Sequence, residues 1–185
     1  MVYKKLNLGC GKNILKGYVN LDISPYPGVD VLHDLNKFPY PFEDNTFDYV
    51  YSEHTIEHLD NLEKTIKELH RICKPMAILH IRVPHFSCGI NYRDPTHKRL
   101  FSYFTFDYFM KSDVTPTGTW CYERPKDVKL FNVEKRMFGF TRIRFKFMNP
   151  IINPILNLSP QVYERFLCWI FPCSECIFKL KVVKD

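Results

Sequence analysis

A chain of 185 residues with 45% hydrophobic and 25% charged residues has the size and composition of one globular domain, which excludes a fibrous or disordered protein. The net charge of +6 is uneven: residues 1–90 carry 10 Lys and Arg against 11 Asp and Glu, whereas residues 91–185 carry 16 against 9. No apolar run reaches the ~18–20 residues that span a bilayer, and MVYKKLNLGCG lacks the features of a signal peptide, so a cytoplasmic protein is expected.

In chain order, residues 5–8 form a short apolar strand ending at Gly9-Cys10-Gly11. Residues 18–23 are a second strand with Asp22 near its end, and residues 30–35 are a third with Asp34 near its end. Pro39 and Pro41 mark a loop. Residues 47–52 (FDYVYS) are a fourth strand. Leu62, Ile66, Leu69 and Ile72 then repeat with helical spacing until Pro75, and residues 77–83 (AILHIRV) are a fifth strand stopped by Pro84.

The second half is less regular. Residues 101–111 (FSYFTFDYFMK) are expected to form an aromatic helix, followed by a break rich in Pro, Thr and Gly. Residues 129–137 and 140–148 are expected to be two strands turning at Gly139. Residues 160–171 are expected to be a helix opened by a proline, which has no N–H to leave unpaired. Residues 176–183 alternate apolar and basic side chains as a half-buried strand does. The implied fold class is α/β, a mostly parallel sheet with helices on both faces and an antiparallel C-terminal edge strand, in a single domain over residues 1–185. Within it, residues 1–85 would hold a cofactor and residues 86–185 an acceptor.

Gly9-x-Gly11 directly after a strand allows a tight turn and lets backbone approach a ligand without a Cβ in the way. Strand-end carboxylates at Asp22 and Asp34 can accept hydrogen bonds from ribose hydroxyls and from an adenine amine. Position 14 is Ile instead of a third glycine, Asp22 follows Gly11 by only 11 residues, and no GxxxxGK[ST] occurs. The pattern therefore suits an adenosyl ligand without phosphates.

The runs Leu6-Asn7-Leu8-Gly9-Cys10-Gly11, Asn20-Leu21-Asp22, Phe42-Glu43-Asp44-Asn45-Thr46-Phe47-Asp48 and Ser52-Glu53-His54-Thr55-Ile56-Glu57-His58-Leu59 resemble the class I, Rossmann-like S-adenosylmethionine-dependent methyltransferases. The likeness is to the branch with an LEHL-like segment after the fourth strand. The resemblance implies S-adenosyl-L-methionine as cofactor. Leu8, Gly9, Cys10 and Gly11 would border its methionine part, Asp22 and Ile23 the ribose, Asp34 and Leu35 the adenine, and the backbone of Ser52, Glu53 and His54 the methionine amino group. The link from Gly11 to Val19 is too short for an ordinary crossover helix, so that helix must shrink to about a turn.

The order HTIEH is not the HExxH of zinc enzymes, because the glutamate adjoins the second histidine. His54 is thus expected near the cofactor, His58 in capping or packing, and no metal is expected. Cys173-x-x-Cys176 has zinc or redox spacing, but no second such pair occurs, and buried structural thiols are expected. His85 follows the fifth strand, and Asp94 and His97 lie in the polar loop beyond it. Removing a proton from an acceptor hydroxyl would fall to His97 or His85, with Asp94 orienting the base. The expected acceptor is an oxygen or nitrogen of a small molecule or surface glycan. The basic second half keeps an RNA acceptor as the alternative, and a non-catalytic cofactor-binding partner is a third reading. The basic-apolar C-terminus could touch a membrane surface peripherally.

Overall fold

The computed structural model describes residues 4–110, 128–141 and 146–184. Seven apolar segments pair into one sheet: β1 (Lys5–Leu8), β2 (Val19–Asp22), β3 (Val31–Leu32), β4 (Phe47–Glu53), β5 (Cys73–Pro84), β6 (Phe131–Gly139) and β7 (Glu175–Val182). Their order is β3-β2-β1-β4-β5-β7-β6. Neighbours from β3 through β5 are parallel, and β7 runs antiparallel to both β5 and β6, so six strands share one direction. The α/β, mostly parallel sheet matches the expectation. The antiparallel C-terminal strand is present too, but it fills the gap between β5 and β6 and leaves β6 at the edge. Its alternation buries Phe178, Leu180 and Val182 in the core, so this segment is sheet interior and offers no apolar face to a membrane.

The helix α1 (Leu62–Ile72) begins where the Asn61 side chain accepts the Lys64 N–H at 2.9 Å. Its stripe of Ile66, Leu69 and Ile72 is fully buried, each residue contributing about 1.5–3 kcal/mol of transfer free energy. The helix ends at Ile72, before Pro75, and the chain enters β5 without a loop. That economy shows in the pairing with β4, where the register jumps between Phe47↔Cys73 and Tyr49↔Ile78.

Between β1 and β2 there is no helix at all. Buried Asn20 closes the link instead: its Oδ1 accepts the Leu15 N–H (2.9 Å) and an Asn7 Nδ2–H (2.9 Å), while its Nδ2 donates to Leu15 O (3.3 Å) and Asp30 Oδ2 (3.1 Å). Asp30 Oδ2 also accepts the Asn20 N–H at 2.7 Å. Side-chain amides thus satisfy backbone groups that a helix would otherwise pair.

The second half departs from expectation in three places. The aromatic segment forms only a short 3-10 turn, Thr105–Phe109, whose Phe106 and Phe109 enter the core; Lys111 lies outside the described residues. The described residues of the segment 140–148 form no strand against β6. Residues 142–145 lie outside the described residues, Lys146–Met148 is a 3-10 turn, and a helix, α2 (Asn149–Leu156), follows. Asparagines at helical spacing, Asn149, Asn153 and Asn157, present amides to the backbone that leaves β6. Asn157 accepts the Phe138 N–H (2.7 Å) and donates to Phe138 O (3.0 Å), Asn153 accepts the Phe140 N–H (2.8 Å), and Asn149 donates to Thr141 O (2.8 Å). A row of side chains here does the work of a missing strand. Residues 160–171 are also no regular helix: after Pro160–Val162 the chain widens into a π turn, Tyr163–Leu167. Among the described residues no helix is long and apolar enough to cross a membrane.

Candidate functional site

Because β1 to β4 are parallel, the turns after them open at one edge of the sheet, where open α/β folds bind ligands. A cleft of about 410 Å³ lies there, lined by Gly9, Gly11, Asp22, Asp34, His54 and His58 among others. At Gly9 the backbone is left-handed (φ +65°), and a Cβ would stand 2.2 Å from Thr55 Cγ2. Thr55 fills that space, with its hydroxyl 3.2 Å from each of the Leu8, Gly9 and Glu53 carbonyls. The glycine is required by a close approach between the β1 and β4 turns.

The Asp22 carboxylate is held from both sides. Oδ2 accepts the Gly11 N–H at 2.7 Å and Oδ1 accepts the Ser24 N–H at 2.9 Å. Each oxygen keeps a further acceptor site, so the carboxylate is preset to take two hydroxyl groups. Asp34 sits beside it in the lining, its Oδ1 accepting the Asn36 N–H at 3.0 Å. Ile23 and Leu35 supply apolar wall. Leu8 and Cys10 are buried beneath the turn, and burial pushes the Cys10 thiol up, with Asp22 adding to it.

The loop after β4 contributes unequally. His54, at φ +50°, lines the cleft, while its N–H is taken by Arg82 O at 2.9 Å. The Ser52 side chain is buried without a hydrogen-bond partner, and the Glu53 side chain turns to Tyr51 Oη (2.9 Å) and Arg82 (3.3 Å); neither is part of the lining. Sequence reasoning passed over Ser24, Tyr26, His33, Asn36 and Thr55, which complete the wall. Their signal was position alone, each within a few residues of a strand-end carboxylate or histidine.

The segment after β5 folds back over this loop. Lys98 N–H donates to Glu57 O (2.9 Å), Arg99 donates to Leu59 O and Asp60 O (2.8 Å each), and Lys98 pairs with Asp60. His97 is thereby set edge-on against His58, ring centroids 4.7 Å apart, with its Nδ1 3.1 Å from Asn91 Oδ1. Asp94 Oδ2 is 3.7 Å from His97 Nε2. The Thr96 hydroxyl and N–H hold the Asp94 carboxyl below the usual carboxylate range, helped by the neighbouring His97 and His58. His85 belongs elsewhere. It is fully buried, with Nδ1 2.7 Å from Ser87 Oγ and Nε2 3.1 Å from Glu164 Oε1, so both nitrogens are engaged in the core and it is not brought to the cleft. Burial pushes the Cys173 thiol up to about 12 and holds Cys176 well above its ordinary value, which disfavours the thiolate that metal binding or redox chemistry needs.

Residues 6–81 match a protein family described as methyltransferase domain. The Archaeoglobus fulgidus crystal structure described as an S-adenosylmethionine-dependent methyltransferase superposes with a TM-score of 0.60 at 18% identity, covering 97% of this chain and 86% of that one. This chain has the Rossmann-like fold of that methyltransferase structure. Demethylmenaquinone methyltransferase of Lysinibacillus sphaericus is 36% identical over 53 residues, 29% of this chain. A sterol 4-C-methyltransferase of Caenorhabditis elegans is 46% identical over 58 residues, 31% of this chain. Those matches span 22% and 16% of the two relatives' own length. Both the family match and the cleft lining fall in the first half of this chain; residues 94–99, beyond the matched region, pack behind the loop that carries His58.

Proposed function

We propose that the chain is an S-adenosylmethionine-dependent methyltransferase acting on an oxygen or nitrogen of a small molecule or glycan. The observation that carries this reading is the pair Asp22 and Asp34, set beside the Gly9–Gly11 turn in one cleft. Asp22 would take both ribose hydroxyls, Asp34 and the Leu35 backbone the adenine, and Gly9 and Gly11 would leave room for the methionine part. The cofactor supplies a sulfonium methyl, which passes to the acceptor lone pair as the carbon–sulfur bond breaks and the acceptor loses its proton. The chain's contribution is mainly to hold donor and acceptor in line. The acceptor would enter on the His54 and His58 side, where the strap of residues 94–99 closes the loop. His97 stands behind His58, so its part in this reading is to position that ring, with Asn91 and Asp94 fixing His97 in turn. Calorimetric titration with S-adenosylhomocysteine tests the cofactor reading: micromolar-range binding is expected, and no heat together with no thermal shift would overturn it. Labelled-methyl transfer to small-molecule, glycan and RNA pools then identifies the acceptor class.

A specific observation favours an acceptor met at an anionic membrane surface. Ile151, Ile155 and Leu158, then Val162, Phe166 and Trp169, recur at helical spacing and are all exposed, Leu158 at 87%. Arg165 lies among them and Lys146 just before, in the half of the chain with 16 Lys and Arg against 9 Asp and Glu. Demethylmenaquinone and sterol, named in the two relatives, are apolar compounds of that kind. The protein should co-sediment with phosphatidylglycerol vesicles, and Leu158→Ser with Phe166→Ser should abolish this; absence of vesicle binding by the unaltered protein refutes it.

A further inference from the structure

At the fold-back of residues 94–99 over the β4 loop, Glu57, His58 and His97 can each offer one ligand atom within 4.8 Å of the other two. Two of these residues are adjacent, and the third arrives from 39 residues further on. Every one has its other polar atom already tied. His58 Nδ1 is 2.9 Å from Thr96 Oγ1 and 3.3 Å from Thr96 O, and His97 Nδ1 is 3.1 Å from Asn91 Oδ1. Glu57 Oε1 is 3.1 Å from His54 Nδ1. What remains is Nε2 of His58, Glu57 Oε2, and Nε2 of His97, whose nearest carboxylate, Asp94 Oδ2, stands 3.7 Å away, beyond hydrogen-bond reach. Glu57 Oε2 belongs to a fully buried side chain and has no hydrogen-bond partner. An orphaned carboxylate oxygen in the interior costs free energy unless a cation or donor meets it.

Histidines hydrogen-bonded through Nδ1, and a carboxylate braced through one oxygen, are the arrangement by which outer partners orient metal ligands. We infer that Glu57, His58 and His97 form a binding site for a divalent transition-metal cation at the edge of the cleft that His58 lines. Two imidazoles and one carboxylate suit Zn²⁺, Mn²⁺, Fe²⁺ or Co²⁺ and leave positions open for a further ligand. Bonds of about 2.0–2.2 Å require the three side chains to close in on the ion, a movement of rotamers on an existing frame. HTIEH lacks the HExxH order, and a third ligand 39 residues away carries no local signal. Resting on the proposed methyl transfer, the open position would take an acceptor oxygen, a hydroxyl or carboxylate. A hydroxyl bound there gives up its proton to water more readily, and its oxygen then bonds to the methyl carbon as the carbon–sulfur bond breaks.

The test begins with protein stripped by a chelator and dialysed. Zn²⁺ is titrated by calorimetry and Co²⁺ by its visible absorption, and S-adenosylhomocysteine is titrated separately into the same cation-free protein. The expectation is about one cation per chain. His58→Ala, His97→Ala and the isosteric Glu57→Gln should each lower affinity by at least the ~10–100-fold expected for Asn91→Ala, which removes only an outer partner. Far-ultraviolet circular dichroism identifies any variant that fails to fold, and Glu57→Gln keeps the shape of the site. No uptake by the folded unaltered protein, or uptake unchanged in the folded variants, overturns the cation site. Cation binding without S-adenosylhomocysteine binding would instead sink the methyl-transfer reading and leave the site standing.

Discussion

Replacing Asp22 by Ala should have two separable costs. The first is to stability, because the carboxylate accepts the Gly11 N–H at 2.7 Å and the Ser24 N–H at 2.9 Å, both part-buried. Hydrogen bonds to a charged acceptor contribute about 1.5–3 kcal/mol when well formed, and water can reach this rim, so a combined loss of about 2–3 kcal/mol is expected. A strand-end carboxylate would otherwise be judged dispensable for folding; the two turns it joins make it otherwise. The second cost falls on the ligand. Losing the charge-assisted bonds to ribose should weaken S-adenosylhomocysteine by about 1.5–3 kcal/mol, or about 10- to 150-fold. Asp22→Asn separates the two, since its one amide oxygen can still accept a turn N–H while its NH₂ faces the other donor. The Asn variant should lie between Ala and the unaltered chain in a urea melt, and closer to Ala in affinity. Calorimetry on folded variants decides: unchanged affinity in a folded Asp22→Ala protein would show that the ribose lies elsewhere.

Gly9→Ala should destabilise by about 2–4 kcal/mol, combining a left-handed backbone penalty with a Cβ 2.2 Å from Thr55 Cγ2, and Thr55→Gly in the same chain should recover the steric part in thermal melts. Asn20→Ala should cost about 2–4 kcal/mol in urea denaturation, since it strands the Leu15 N–H and an Asn7 amide in a buried link. Burial, with Lys179 and Arg82 adding to it, pushes His80 down from 6.5 to about 4. Its neutral form is therefore favoured by folding, and stability should rise with pH between about 4 and 6.5 and be lost on acidification through that window. His80→Gln should flatten the slope in urea melts by about 1–2 kcal/mol once partial solvent access is allowed for, and an unchanged slope would assign the acid lability to other groups.

What was legible in the sequence is what local pattern controls. β1, β2, β4 and β5 could be placed because each is an apolar run bounded by Gly, Pro or a strand-end carboxylate, and α1 because Leu62, Ile66, Leu69 and Ile72 repeat at its period. The meeting of Gly9, Gly11, Asp22 and Asp34 in one cleft was legible for the same reason: parallel strands deliver their last residues to one edge. The second half was harder because its decisive contacts are long-range. The strand expected over residues 129–137 is β6, but its neighbour is β7, more than 35 residues on, and the helix that follows presents Asn149, Asn153 and Asn157 to the backbone leaving the strand.

The same distinction separates the two candidate bases, His97 and His85. Position after a strand end made His85 a candidate, yet β7 and the π turn bring Ser174 and Glu164 against it and close it into the core. His97 has no such overlay. Its segment is strapped outward by Lys98 and Arg99 onto the β4 loop, which sets it against His58 at the cleft. A strand end fixes where a residue starts; whether it reaches a ligand depends on what the chain later packs over it. The short Asn20-braced link between β1 and β2 acts the same way, since Asp22 at its end ties the Gly11 and Ser24 turns together. In the proposed reading Asp22 is also the ribose ligand, which is why one substitution at that position should move stability and affinity together.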